Sequence, residues 1–521
     1  MDTTSIEQLL RSISQSDHTE PALLRETHIS WVILCGQYAY KIKKPVNFAF
    51  LDFSSVELRR HYCAEELRLN RRFSPELYLA VVPVTQGEQG PVIDGTGPPI
   101  DYAVRMRRFE EDQLLDVIAA RDGLDNTLLR ALALELARLD DILPACHPDP
   151  DSGEPGTPKA LLNAIEQNFQ QICNYAIPES QLHELQAIRD WSLQRYTEVL
   201  PIMVQRILEG RVIDGHGDAH LGNIALIDGA VRLFDCIEFN ASLRIMDSIS
   251  EIAFLTMDMD SRGYHAASHR LLTDYLEYSG DYAGLPILDI YRCYFAMVRA
   301  KVSLLRESTQ TKDITTTPGY QEFLRYLELA QCCTQPRQMF LAITHGVSGS
   351  GKSTIAGALV ASSGAVRIRS DVERKRLSGM APEQRSEPQQ RDLLYSAAMS
   401  RKTFSRLEEL AGLVIEAGFP VIVDATFLHR STRDSFHQLA RRLSVPFVIL
   451  DCSAPPDQLR QRLIERARHA QDASEADVAV MEQQLASAQV LTQEEKAYRV
   501  AAASAEDGAT LWQRVQALCF G

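Results

Sequence analysis

Two stretches of the sequence hold side chains whose types and spacing suit chemistry on phosphate. The first is His216-Gly217-Asp218-Ala219-His220-Leu221-Gly222-Asn223, followed by Leu233-Phe234-Asp235. The Asp218 carboxylate can accept a proton from a hydroxyl, and the Asn223 amide can offer an oxygen to magnesium. Asp235, at the end of a short apolar strand, can hold the metal that bridges the phosphates of ATP. The second stretch is Gly346-Val347-Ser348-Gly349-Ser350-Gly351-Lys352-Ser353-Thr354, after the apolar run LAIT and before helical sequence. The glycines Gly346, Gly349 and Gly351 let backbone amides wrap phosphates, Lys352 reaches the β/γ-phosphates, and the Ser353 hydroxyl is a magnesium ligand, with Thr354 beside it in the nucleotide-binding set.

Acidic and basic residues downstream of the glycine loop add the rest of a transfer site. Ile368-Arg369-Ser370-Asp371-Val372-Glu373-Arg374 ends the next expected strand, and Asp371 there can act as the base for an acceptor hydroxyl. Arg374, one helical turn on, can bind an anionic substrate. Asp424 ends the apolar run Val421-Ile422-Val423 and suits the magnesium shell. Arg430 and Arg433 follow, with Arg433 a second substrate candidate, and Arg462, Arg466 and Arg468 lie on a stretch patterned like a lid over ATP.

Short strands and helices must position these groups. LLRE, WVILCG and YAYKIK read as strands, as do LAVVPV (79–84) and DYAVRMRRF (101–109). Residues 55–73 have helical spacing, with Leu58, Tyr62, Leu69 and Phe73 on one face. Lys41 lies on the YAYKIK strand with Lys43 as its alternate. Its expected carboxylate partner is Glu66, or else Glu65. Most of 112–210 and 240–335 reads as helix. Beyond 336, strands (LAITHG, FPVIVDAT, PFVILDC) alternate with helices, the pattern of a parallel sheet. The polar stretch 306–320 and Gln335-Pro336-Arg337-Gln338 place a domain boundary near 335, giving domains of 1–335 and 336–521.

HGDAHLGN and the later Phe-Asp-Cys resemble the catalytic and metal-binding segments of aminoglycoside phosphotransferases, whose fold is similar to that of protein kinases. Tyr38-Ala39-Tyr40-Lys41 is similar to their Val-Ala-Ile-Lys strand, and Asp247 with Glu251-Ile252-Ala253 resembles their Asp-Leu-Ala segment. The resemblance implies an α+β two-lobed domain in which Lys41 pairs with ATP phosphates. Where that family has a glycine-rich phosphate loop, this chain has Glu26-Thr27-His28-Ile29-Ser30. With Tyr-Lys-Ile-Lys-Lys-Pro, this also resembles a bacterial branch in which such a domain precedes a P-loop domain. Residues 340–490 resemble the small P-loop kinases that include polynucleotide kinases, gluconate-type kinases and zeta toxins, which implies an α/β fold with a parallel sheet.

Composition bounds the rest. The chain has 521 residues, 45% hydrophobic and 24% charged, as in a globular protein of two to four folding units. It lacks an apolar run long enough to cross a membrane, a signal-like start, and paired Cys-x-x-Cys motifs, so the expectation is a cytoplasmic protein without structural zinc. From Arg337 onward 23 Lys+Arg stand against 21 Asp+Glu, while the preceding part has 31 against 48. The acidic first part disfavours duplex nucleic acid and suits a cationic substrate; the second suits an anionic one. The expected activity is ATP- and Mg²⁺-dependent transfer to a hydroxyl of a small molecule or oligonucleotide at two nucleotide sites. The alternatives are a first domain kept only for binding or regulation, or a P-loop domain acting as an ATPase switch.

Overall fold

The computed structural model describes residues 1–521 apart from 2, 17–21, 49–50, 89, 308–312, 388–389, 391–392, 470–473 and 504, and apart from the side chains of 14–16 and 466–469. Residues 308–312 of the polar stretch and the side chains of Arg466 and Arg468 thus lie outside the described residues. The fold is an α+β part followed by an α/β part with a parallel sheet. By compactness the chain forms two units. One comprises Met1–Leu124, Arg138–Asn174 and Leu193–Asp258; the other comprises Asp125–Ala137, Tyr175–Ser192 and Met259–Gly521.

The first unit is built on a six-stranded antiparallel sheet. Its order is Leu23–Glu26, Ser30–Cys35, Tyr38–Lys43, Pro99–Arg107, Tyr78–Gly87, Gly90–Ile93. Alternation along the strands sorts side chains to two faces. Trp31, Ile33, Ile42, Val82, Val84 and Ala103 pack against Ile6 and Leu9 of helix Thr3–Ser16. Lys41 and Lys43, one residue either side of Ile42, point to the opposite face. Helix Val56–Asn70 starts at Ser55, whose side chain accepts the Leu58 amide at 3.2 Å. Its buried face is Arg59, Cys63, Glu66, Leu69 and Asn70, which is offset from the expected Leu58/Tyr62 face. The offset has an electrostatic cause: Arg59 turns inward to a bidentate pair with buried Asp101 at 2.9 Å. The unit also holds the short hairpin Ile224–Ile227 with Ala230–Leu233, and an antiparallel pair of non-consecutive strands, Val212–Asp214 with Ile245–Asp247.

In the second unit five parallel strands run in the order Val366–Arg369, Val421–Asp424, Leu341–His345, Phe447–Cys452, Arg499–Ala502. The central strand is apolar on both faces, as a strand covered by helices on each side must be. Helices Lys352–Ser363 and Gly508–Phe520 bury Ile355, Leu359, Val360, Leu511 and Val515 against Ala342, Ile422, Val448 and Leu450. Asp371 and Asp424 therefore come to the carboxyl ends of neighbouring strands, where open α/β sheets bind ligands. All ten cysteines are free thiols. Among the described residues no helix is long and apolar enough to cross a membrane.

Candidate active site

In the first unit Lys41 and Lys43 share one carboxylate. Lys41 Nζ lies 2.8 Å from Glu66 Oε1, and Lys43 Nζ lies 2.7 Å from Oε2. Each lysine also has a carboxylate of its own, Asp235 for Lys41 and Glu238 for Lys43. Glu65 is instead paired with Arg68 at 2.7 Å. Burial alone would push both ammoniums down, but the surrounding carboxylates more than reverse it and hold both above the ordinary lysine value. Burial pushes the Glu66 carboxyl up, and the two lysines overcome this and leave it low. At Glu238 burial prevails and the carboxyl is raised. Sequence reasoning misses Glu238 and the double engagement of Glu66, because nothing local marks a carboxylate 195 residues away from Lys43 as its partner.

The hairpin register brings the predicted metal-binding pair together. The Phe234 amide donates to the Asn223 carbonyl at 3.0 Å, which sets Asp235 beside Asn223. Asn223 Nδ2 donates to Asp218 Oδ2 and to the Asp218 carbonyl, both at 3.0 Å. That leaves the Asn223 amide oxygen for a cation. Asp235 sits at a positive φ of 62°, its amide donating to the Tyr78 hydroxyl at 3.0 Å, and its side chain is 43% exposed despite the Lys41 pair. An amide oxygen and a half-open carboxylate are oxygen donors of the kind that would hold magnesium.

Two buried groups hold the loop that carries Asp218. Glu251 Oε1 accepts the His216 and Gly217 amides at 2.7 and 3.0 Å, and burial pushes its carboxyl up. His216 Nε2 lies 2.8 Å from the Phe234 carbonyl and Nδ1 accepts the Asp218 amide at 3.3 Å, an arrangement only the neutral imidazole can make. Burial accordingly pushes His216 down to about 4. A depressed histidine adds stability above its ordinary value near 6.5 and loses it as pH falls toward 4. The stability advantage of the native chain over His216→Gln is expected to shrink by up to about 3 kcal/mol between those limits. Chemical denaturation across that range checks this, and a pH-independent difference would remove the role.

The turn that replaces a glycine-rich loop is self-contained. Thr27 Oγ1 accepts the Ile29 and Ser30 amides at 3.3 and 2.9 Å, and the Thr27 amide donates to the Ser30 carbonyl at 2.9 Å. Three amides that a glycine loop would turn toward phosphate are used within the turn.

In the second unit the predicted residues line one cavity of about 670 Å³. Gly349, Gly351, Lys352, Ser353, Thr354, Asp371, Arg374, Asp424 and Arg462 all contribute, with Arg369. Gly346 and Gly351 have φ of 144° and 89°; a Cβ at Gly346 would strike the Cys452 carbonyl, and Gly351 starts the helix Lys352–Ser363. That helix start and the lysine set positive charge at the loop. Asp424 Oδ2 is buried and has no hydrogen-bond partner among the described residues, the Arg369 guanidinium being 4.0 Å away. An orphaned carboxylate oxygen near Ser353 fits magnesium in an oxygen shell. Asp371 and Arg374 are bonded to each other at 2.6 Å, and Arg374 stacks over the Tyr395 ring. Arg462 donates to the Gly349 carbonyl at 3.3 Å. Gln484, which no sequence motif marks, accepts the Ser348 amide at 2.8 Å.

Arg433 lies apart from this cavity, contrary to the substrate role expected of it. It is 1% exposed, ion-paired with Glu495 at 2.5 Å, and donates to the Phe427, Gln489 and Val490 carbonyls. Its donors are spent on fastening the 489–495 segment, and it pulls the Glu495 carboxyl down to about 2 against the cost of burial.

The family model AAA_33, described as an AAA domain, matches residues 341–491. Among solved structures, a choline/ethanolamine kinase family protein from Mesorhizobium loti is 13% identical, covering 64% of this chain and 100% of its own, with a TM-score of 0.38. A gluconokinase from Sinorhizobium meliloti is 20% identical, covering 35% of this chain and 92% of its own, with a TM-score of 0.25. The uncharacterized protein Rv2004c of Mycobacterium tuberculosis is 30% identical over 457 residues, 88% of each chain, and Mb2027c of Mycobacterium bovis gives the same figures. The chain belongs to the same family as these mycobacterial proteins.

Proposed function

We propose that the protein is an ATP-dependent phosphotransferase whose P-loop cleft passes the γ-phosphate of ATP to a substrate hydroxyl. The observation that carries this is the convergence of Lys352, Ser353, Asp371, Arg374 and Asp424 on one cavity. A plain ATPase has no need of a carboxylate at Asp371. The P-loop amides and Lys352 hold the donor phosphates, so the acceptor approaches in line from beyond the γ-phosphate. Asp371 takes the proton of the acceptor hydroxyl, and Arg374 steadies an anionic acceptor. Ser353 and Asp424 would hold magnesium, which neutralises charge on the phosphates. In the cavity wall Lys352, Arg369, Arg374 and Arg462 outnumber Asp371 and Asp424, which suits a polyphosphate donor.

The first unit is read as a second nucleotide site, with Lys41 and Glu66 at the phosphates, Asn223 and Asp235 at magnesium, and Asp218 as base. The self-contained Thr27 turn favours a second reading of that unit, in which it binds or regulates without transferring phosphate. Acceptors are expected among small polyhydroxylated molecules, nucleosides or oligonucleotides for the P-loop cleft, and cations of aminoglycoside type for the acidic first part. ATP consumption screened against these acceptors, with Asp218→Asn and Asp371→Asn separating the two sites, tests the whole scheme. Lys352→Ala in the full chain, combined with Lys41→Met, is expected to abolish ATP binding measured by equilibrium dialysis. Undiminished binding by that double variant would overturn both sites.

A further inference from the structure

Helix Val478–Ser487 is fastened against the P-loop along its whole length. Its start is capped by Asp477, whose side chain accepts the Val480 amide at 2.9 Å. In its middle the fully buried Met481 packs with Val347 of the loop and with Leu459 and Leu463. Just past its end the Gln489 amide donates to the Leu428 carbonyl at 2.9 Å, and Gln489 Oε1 accepts the Arg430 amide at 2.7 Å. Arg433, buried behind this segment, donates to the Gln489 carbonyl at 3.3 Å. Val480, Gln483, Gln484 and Ser487, spaced as one face of the helix, line the P-loop cavity.

Gln484 crosses from this face to the loop backbone, where its Oε1 accepts the Ser348 amide at 2.8 Å. The carbonyl of the same peptide, that of Val347, accepts Lys352 Nζ at 2.7 Å. A peptide bonded at both ends is polarised, which strengthens each bond. A backbone N–H only donates, so the oxygen branch of the Gln484 amide faces Ser348. The nitrogen branch, with its two donors, is turned away from that amide, and among the described residues it has no hydrogen-bond partner. The phosphate cradle does not depend on the Ser348 amide, because the first-turn amides of Lys352, Ser353 and Thr354 have no acceptor within their own helix. Gln484 therefore adds to the cradle without filling it.

We propose that Gln484 is a nucleotide-binding residue of the P-loop cleft: with its oxygen fixed on the loop, its Nε2 hydrogen-bonds a phosphate oxygen of bound ATP. This rests on the reading of the cleft as a Mg·ATP site. Where Lys352 and Arg462 supply charge, the amide supplies a directed neutral donor. Because its oxygen is held by the loop and its helix is tied down at both ends, the donor is in place before the ligand arrives, and little ordering cost falls on binding.

The test uses the full chain carrying Lys41→Met, so that the P-loop site is read alone, with Mg²⁺ and a non-hydrolysable ATP analogue. Gln484→Met keeps the length and the helix propensity but removes the amide. Analogue affinity, measured by equilibrium dialysis, is expected to fall about 10-fold, the worth of a hydrogen bond to a charged group. In the parent labelled with ¹⁵N-glutamine, the Gln484 side-chain amide signal, identified by its loss in Gln484→Met, is expected to shift downfield as the analogue binds. An unmoved signal in the saturated parent would overturn the proposal and leave Gln484 as an anchor of its helix, whatever the affinity of the variant. Affinity of Gln484→Met equal to the parent's would overturn it too, and a higher one would mean that the Gln484 oxygen occupies an amide the phosphates need. If Gln484→Met does not fold, Gln484→Glu stands in. Its carboxylate keeps the bond to Ser348 but sets negative charge against the phosphates, so binding is expected to weaken about 100-fold, and undiminished binding overturns the role. A parent that binds no analogue would refute the nucleotide-site reading itself, whereas a binding parent with an unmoved Gln484 signal refutes only the role of Gln484.

Discussion

Asp371→Asn is expected to slow phosphoryl transfer at the P-loop cleft by about 10²–10⁴-fold, the usual worth of a positioned general base, while leaving ATP affinity nearly intact. The asparagine keeps the size and can still bond to Arg374, so the cleft keeps its form; what is lost is a lone pair basic enough to take the hydroxyl proton. The 2.6 Å pair with Arg374 sharpens the expectation for its neighbour. Arg374→Ala removes an anion-binding group from the wall and frees the Asp371 carboxylate, so the acceptor KM should rise more than kcat falls. Steady-state kinetics with the best acceptor from the screen separates the two. Turnover by Asp371→Asn equal to that of the native chain, with every acceptor tested, would make Asp371 a turn residue and the domain an ATPase or nucleotide sensor.

What can be read from the sequence is what short stretches of backbone determine. The glycine loop needs positive φ at set places and a strand before it and a helix after it, and Gly346-to-Thr354 carries all of that locally. The pairing of Asn223 with Asp218, five residues apart, and the hairpin that returns Asp235 are local in the same sense. Partners brought in from a distance are not legible. Arg433 resembles a substrate arginine in sequence because Glu495, 62 residues on, carries no mark of being its partner. Glu277, 90 residues before Arg367, and Glu238, 195 residues after Lys43, are invisible for the same reason. The helix Val56–Asn70 lies where its periodicity predicts but is rotated, because apolar periodicity ignores an arginine that turns inward to a buried aspartate. The Thr27 turn visibly lacks the glycines of a phosphate loop, but only its hydrogen bonds show that its amides are already used.

The shared carboxylate of the first unit should show the largest effect on stability. Glu66→Ala is expected to destabilise the protein by about 3–5 kcal/mol, since it leaves two buried ammoniums each short of a partner. The pH dependence follows from the directions of the shifts. Glu66 is held below its ordinary value, so its contribution is present above about 4.5 and is lost as pH falls below it. Lys41 and Lys43 are held above theirs, so their contribution is present below about 10.5 and is lost only as pH rises through their raised values. The gap between native chain and variant, measured by chemical denaturation, should therefore be widest on a plateau from about pH 5 to 10 and narrow on the acid side. The two lysines are expected to part in function. Lys41 is coupled to Asp235, which is 43% exposed, whereas Lys43 is coupled to Glu238, which is 3% exposed. Lys41→Met should therefore remove nucleotide binding at this site, assayed in a Lys352→Ala background, and Lys43→Met should chiefly cost stability. Equal losses of binding from both, at equal stability, would mean that the two lysines face the nucleotide together and that the division drawn from their exposure is wrong.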